Sequence, residues 1–147
     1  MNFGEIPFIK NHTALYDSDP DKAHMWDSGE AGGSGMLPTL LLITTGRKSG
    51  EPRKSPLIYQ AFGDNFAVIA SKGGFPTNPH WYENLVANPE CELMIGAKKV
   101  RARARTAEGD ERETIWTEMQ KSYSPYDDYQ KATDRKIPVV VLEPVES

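Results

Sequence analysis

The period of the apolar positions changes along the chain, and each change marks an element. Leu37 to Ile43 contains the unbroken run Leu40-Leu41-Leu42-Ile43 and predicts a strand buried on both faces. Pro52 to Phe62 predicts a second extended segment. Gly63-Asp64-Asn65 predicts a tight hairpin turn into a third strand, Phe66 to Ser71. Asn78-Pro79 predicts a helix start, with Asn78 as cap and Pro79 in the first helical position. Trp81 and Leu85 share one face of that helix, and Asn88-Pro89 stops it. Cys91 to Ile95 predicts a strand. Val100 to Thr106 alternates strictly, with Arg101, Arg103 and Arg105 on one face and Val100, Ala102 and Ala104 on the other. Glu108 to Ser122 predicts a helix whose buried stripe is Ile115, Trp116 and Met119. Ser124-Pro125 opens another short helix, and Ile137 to Leu142 is the last strand, where Pro138 suits an edge or a strand start.

Six short strands joined by tight turns, with helices inserted late, predict an α+β chain that is mainly antiparallel and closes into a small barrel with peripheral helices. Residues 1–36 form a separate N-terminal segment and 37–147 the barrel domain. Within the first segment, Phe3, Ile6, Phe8 and Ile9 suit docking, a short helix is expected between Lys10 and Trp26, and Ala31 to Gly35 reads as a connector. An arm that folds over a ligand is the alternative for that segment. A parallel nucleotide-binding fold is disfavoured, because no strand–helix–strand unit carries a glycine fingerprint.

Composition narrows the function. At 147 residues, one domain with a real core is expected. The net charge of −4 argues against general nucleic-acid binding. A lone cysteine, Cys91, rules out an internal disulfide and fits a reducing, cytoplasmic compartment. The three histidines and Cys91 have no metal-ligand spacing. No apolar run is long enough to cross a bilayer.

Candidate chemistry lies in the turns. Thr44 to Gly50 places Arg47 and Lys48 side by side, with Arg53 and Lys54 just beyond. Like charges repel, so this is either a solvated basic turn or an anion site, for which Arg offers a fork and Lys a point charge. Ala70-Ser71-Lys72-Gly73-Gly74 offers main-chain N–H groups for close approach. The helix start at Asn78 to Trp81 favours an anion. Together these loops describe a trough for a long ligand with an anionic tail and a flat head, which Trp81 either covers or leaves for the core. Tyr123, Tyr126 and Tyr129 recur every third residue and form either an aromatic core patch or a substrate wall. No nucleophile elbow is present, and Asp127 and Asp128 are adjacent and so point apart. An enzyme with these parts would use an organic cofactor.

Five of these stretches recur in order in a known family: Thr44 to Gly50 with Pro52-Arg53, Ala70 to Gly74, Asn78 to Leu85, Tyr123 to Tyr129, and Asp134 to Val140. The chain resembles the actinobacterial deazaflavin-dependent nitroreductases over about residues 37–144. The resemblance implies a split β-barrel of the FMN-binding type that takes coenzyme F420, an 8-hydroxy-5-deazaflavin, with flavin mononucleotide the lesser alternative. It implies hydride transfer from the reduced coenzyme to a quinone, nitroaromatic or other conjugated acceptor; a non-catalytic deazaflavin or flavin binder is the rival. Carried over, Arg47, Lys48 and Arg53 hold the phosphate and oligoglutamate tail. Ser55, Pro56 and Leu57 line the groove. Ala70, Ser71, Lys72 and Gly73 meet the ring and its linker, and Trp81 and Asn84 close the head-group side. Tyr123, Tyr126 and Tyr129 shape the acceptor site and are candidate proton donors. No metal and no stable protein partner are implied. Monomer or homodimer, and contact with a membrane surface, stay open. Where a close relative carries an aromatic residue two positions after the Pro56 position, this chain has Ile58; Tyr59 beside it faces the opposite way in a strand.

Overall fold

A computed structural model of the chain describes residues 7–27, 35–71 and 77–145. Phe3, Ile6, the side chain of Phe8 and the connector up to Ser34 lie outside them. In chain order the elements are α1 (Pro7–Ser18), α2 (Pro20–Ala23), β1 (Met25–Asp27), β2 (Met36–Thr45), β3 (Pro52–Ile58), β4 (Gln60–Phe62), β5 (Asn65–Ile69), α3 (His80–Ala87), β6 (Glu90–Ile95), β7 (Lys98–Thr106), α4 (Gly109–Ser122), α5 (Pro125–Lys131) and β8 (Val139–Pro144). The strands form one sheet in the order β1-β2-β6-β7-β8-β5-β4, with β3 also on β2. Every pairing is antiparallel, and the sheet curls into a split barrel.

Alternation sorts the side chains. Leu40 and Leu42 of β2, Val68 of β5, Cys91 and Leu93 of β6, Ala102 of β7 and Val140 and Leu142 of β8 fill the barrel interior, and Trp81 and Leu85 of α3 close one end. The opposite faces of β5 and β8, at Ala67, Ile69, Val139 and Val141, pack beneath Ile115 and Met119 of α4 and Tyr126 of α5. Leu41, on the outward face of β2, packs against Tyr16 and Ala23. Filling a close-packed interior in this way stabilises by about 1.5–3 kcal/mol per large apolar side chain.

The expected extended run 52–62 is two strands. Leu57 opposes Leu40 of β2, whereas Gln60 opposes Ala67 of β5. The chain changes partner at Tyr59, whose N–H donates to Pro38 O (3.4 Å). Ile58 packs toward the helical layer and Tyr59 toward the barrel interior, as adjacent strand residues must. The other edge of β3 has no strand partner among the described residues. Pro56 sits on that edge, where its missing N–H costs no ladder bond.

The N-terminal segment is helical from Pro7 to Ser18 and contributes β1, which pairs Trp26 with Leu37. Its anchor is a buried polar cluster. Tyr16 Oη donates to Thr39 O (2.8 Å), and Thr39 Oγ1 donates to Ala23 O (3.0 Å). Lys54 joins the outside of β3 to α1 through Asp17 (3.0 Å). Among the described residues, no helix is long and apolar enough to cross a membrane.

Candidate functional site

The basic turn lies between β2 and β3 and closes on itself. Gly46 N–H donates to Glu51 O, and Gly50 N–H donates to Gly46 O, both at 2.8 Å. A Cβ on Gly46 would stand 2.8 Å from Ser49 Oγ and 3.1 Å from Glu51 O, so glycine is needed for the close approach. Gly50 has φ +72°, a left-handed conformation that suits glycine.

Asn84 of α3 holds this turn to the barrel. It is buried, and its Nδ2 donates to Thr44 Oγ1 (3.1 Å). Its Oδ1 accepts from Arg47 N–H (3.2 Å) and from Arg47 Nη1 (2.9 Å). Arg47 Nη2 reaches His80 Nδ1 at 3.5 Å, at the first residue of α3. Arg53 opposes Thr44 in register and so faces the same side; its Nη2 donates to Ser49 Oγ (3.4 Å). Lys48 is exposed. Among the described residues, none of Arg47, Lys48 and Arg53 has a carboxylate partner. Lys54, Arg103, Arg105, Arg112 and Lys121 all do. Among the described residues, Arg105 meets the carboxylates of Glu111 and Glu143 and Arg103 meets that of Glu90, while Arg101 has no ion pair, so two of the three arginines of the β7 row are held by carboxylates. In an acidic chain, three neighbouring cations without counterions are a charge pattern that fits a polyanion.

A second anchor fixes the end of β5. Arg135 Nη1 donates to Ala70 O (3.1 Å) and to Asn78 Oδ1 (2.9 Å), and Arg135 Nη2 donates to Ser71 O (2.6 Å). Asn78 therefore serves Arg135 and does not cap α3; Pro79 takes the cap position without a side-chain bond. Ala70 N–H donates to Pro138 O (2.9 Å). Arg135 lies in the Asp134 to Val140 stretch, which the residue pattern gives no role; the only local signal for it is an arginine just ahead of a strand that pairs with β5. Lys72 and Gly73 lie outside the described residues.

The remaining candidates divide by face. Ser55 and Leu57 oppose Leu42 and Leu40, on the barrel side, half-buried along the free edge of β3. Pro56 opposes Leu41 and faces the α1 side. Trp81 is 7% exposed and packs in the barrel interior with Leu40, Leu42 and Ala70. The structure thus gathers Arg47, Arg53 and Asn84 at the turn, and Ala70 and Ser71 at Arg135, with α3 between the two groups.

Tyr123, Tyr126 and Tyr129 form one aromatic cluster in the helical layer. Tyr123 and Tyr126 meet edge to face at 4.9 Å between ring centres. Tyr123 and Tyr126 are buried, Tyr129 is half-buried, and the Tyr123 and Tyr129 hydroxyls share a hydrogen bond of 2.7 Å. Burial, reinforced at Tyr123 by the bond to Tyr129, pushes both buried phenols well above the usual tyrosine range. They therefore stay protonated at every ordinary pH. Ile58, Leu37 and Phe62 pack against the same cluster.

A cavity of about 330 Å³ opens beside the turn, lined by Ile43, Thr44, Pro52, Glu90, Glu92 and Arg101 among others. Its two carboxylates make it a poor seat for a polyanion. Cys91 lines it as well, and burial pushes its thiol up to about 12, so it is no nucleophile.

Comparison with known proteins identifies the family. A family model described as F420H(2)-dependent quinone reductase matches residues 19–144. The F420H(2)-dependent quinone reductase Rv1261c of Mycobacterium tuberculosis (strain ATCC 25618 / H37Rv) is 40% identical over 111 residues, covering 74% of each chain. A solved F420-H2 dependent reductase, FDR-A, is 44% identical, with a TM-score of 0.67 over 72% of this chain and 94% of that one. A solved structure described as a domain-swapped dimer is 38% identical, with a TM-score of 0.69 over 91% and 94%. The chain belongs to the F420H(2)-dependent quinone reductase family, oxidoreductases whose cofactor is coenzyme F420.

Proposed function

We propose that this chain passes a hydride to a quinone, and to nitroaromatic or other conjugated acceptors of similar shape, at the tyrosine-bearing end of a trough that holds reduced deazaflavin. When bound, the reduced coenzyme supplies the hydride from its C5. Arg47, Lys48 and Arg53 hold the phosphate and oligoglutamate tail by charge-assisted hydrogen bonds. Ser55 and Leu57 line the trough along the free edge of β3, where Pro56 between them contributes main chain and turns its ring to the α1 side. Ser71 meets the ring, backed by the buried Ala70, with Lys72 and Gly73 assigned to the same stretch. Asn84 acts by holding Arg47, and Trp81 backs the ring end from the core.

Quinone reduction to the hydroquinone needs one proton beyond the hydride. Tyr129, the most exposed of the three phenols, presents a hydroxyl that can donate a hydrogen bond to the acceptor oxygen. Tyr123 supports it through the 2.7 Å bond between their hydroxyls. Because burial raises the Tyr123 and Tyr126 phenols, those two keep their protons and serve as the wall behind Tyr129, and water supplies the net proton.

The observation that carries the proposal is the trio of neighbouring cations without carboxylate partners among the described residues, on a turn fastened to α3 through Asn84 and Arg47. The test is a fluorescence titration with the complete coenzyme and with a deazaflavin cut back to its ribityl chain. The complete coenzyme should bind at least tenfold tighter, and the gap should shrink as salt rises. Equal affinities at low salt would remove the anion site.

A further inference from the structure

We propose that Arg135 is a positioning residue for the coenzyme: it fixes the spacing between the ring end and the tail end of the trough and turns the Ser71 N–H outward as a donor to the ring. This rests on the trough assigned above. One guanidinium meets two main-chain carbonyls and one carboxamide, which together use a planar, fixed fork. Ala70, on one side of the clamp, is fully buried and bonded to Pro138. Asn78, on the other side, leads into α3, whose Asn84 grips Arg47. The distance from the end of β5 to the basic turn is therefore set through Arg135.

The clamp also orients a donor. A trans peptide carries its carbonyl and its N–H on opposite sides, and no described peptide bond is cis. With the Ala70 carbonyl drawn to Arg135, the Ser71 N–H points away from it. That N–H donates to none of the described residues. A flavin-type ring offers acceptors along its pyrimidine edge, which is the chemistry such a donor takes. The segment bearing Arg135 is itself held from α5: Gln130 Nε2 donates to Arg135 O (2.8 Å), and Ile137 N–H donates to Gln130 Oε1 (3.0 Å). Gln130 adjoins Tyr129, so the clamp and the acceptor wall hang from one helix.

Arg135→Lys, Arg135→Ala and Asn78→Ala test this by fluorescence titration with the complete coenzyme and the truncated deazaflavin, and by steady-state turnover with a water-soluble naphthoquinone. Arg135→Lys should raise the Kd and KM of the complete coenzyme tenfold or more and that of the truncated ligand about threefold. The kcat at saturating coenzyme and the quinone KM should stay within twofold. Asn78→Ala should shift the same quantities in the same direction by less. A coenzyme Kd within twofold of the native value in Arg135→Lys overturns the proposal. So does an equal loss for both ligands, or a fall in kcat and thermal midpoint with KM unchanged, which is the mark of a merely structural arginine. Should Arg135→Ala fail to fold, the lysine and Asn78 variants decide. If the native protein binds neither ligand, the trough itself is wrong, and the clamp falls with it.

Discussion

Asn84 Oδ1 accepts two hydrogen bonds from a single residue, Arg47, one from its main-chain N–H and one from its guanidinium. The same carboxamide donates to the buried Thr44 hydroxyl. An asparagine in a buried helix face thus sets both the backbone and the side chain of the cation at the head of the basic turn.

Replacing Asn84 with alanine should strip Arg47 of that support and leave the Thr44 hydroxyl without its donor. The expected loss is about 1–3 kcal/mol of folding stability, the range for a buried polar group left unpaired. Coenzyme affinity should fall as well. Asn84→Asp keeps the acceptor for Arg47 but places a negative charge at the anion site, so it should spare stability and still weaken binding. Chemical denaturation beside fluorescence titration separates the two effects. Unchanged binding in Asn84→Asp would argue against an anion beside Arg47.

Lys48 is exposed and has no carboxylate partner among the described residues, so its side chain contributes little to folding. Lys48→Ala should leave the thermal midpoint within about a degree and weaken coenzyme binding by about 1–3 kcal/mol, the range for a lost charge-assisted contact. A Kd equal to the native value would exclude Lys48 from the site.

Tyr126→Phe should alter turnover more than coenzyme affinity; the reverse pattern would place Tyr126 against the coenzyme. Tyr129→Phe removes the partner of the buried Tyr123 hydroxyl and the hydrogen-bond donor proposed for the acceptor. It should lower kcat with a quinone severalfold while leaving the coenzyme Kd within twofold. If quinone turnover is indifferent to Tyr129→Phe, the acceptor binds elsewhere.

Burial raises Tyr16 to about 12 and also raises Tyr59, Tyr123 and Tyr126. An unfolded phenol titrates near about 10. The folded state therefore holds these protons more tightly, and their contribution to stability is complete below that value. It is lost as pH rises through the folded values. Thermal midpoints should be level between about pH 7 and 9 on this count and fall above about pH 10, with phenolate absorbance appearing together with unfolding. Full phenolate absorbance near pH 10 from a folded protein would contradict the burial of these hydroxyls.

The sheet was largely legible because strand periodicity is local. The run Leu40 to Ile43, the Gly63-Asp64 turn and the Arg101-Arg103-Arg105 alternation each carry their own signal. The break at Tyr59 was not legible. It is imposed by closure of the barrel, which gives Leu57 and Gln60 different partner strands. Asn78 departs from expectation for a similar reason: local preference favours a side-chain cap, and a tertiary contact with Arg135 takes the carboxamide instead. The basic turn was legible as unusual, since crowded cations have no folding purpose. That Asn84 would fasten Arg47, or that Arg135 would bridge Ala70 to Asn78, depends on contacts spanning 37 residues or more, and nothing in the spacing announces them.

Anaerobic mixing of the protein with reduced coenzyme F420 and a soluble naphthoquinone, followed by the return of the oxidised coenzyme's absorbance, tests the central claim most directly. Saturable turnover is expected, with coenzyme KM raised in Lys48→Ala and Arg135→Lys and kcat lowered in Tyr129→Phe. Tight coenzyme binding with no oxidation by quinones, nitroaromatics or other conjugated acceptors would contradict it and leave a deazaflavin carrier in place of an enzyme.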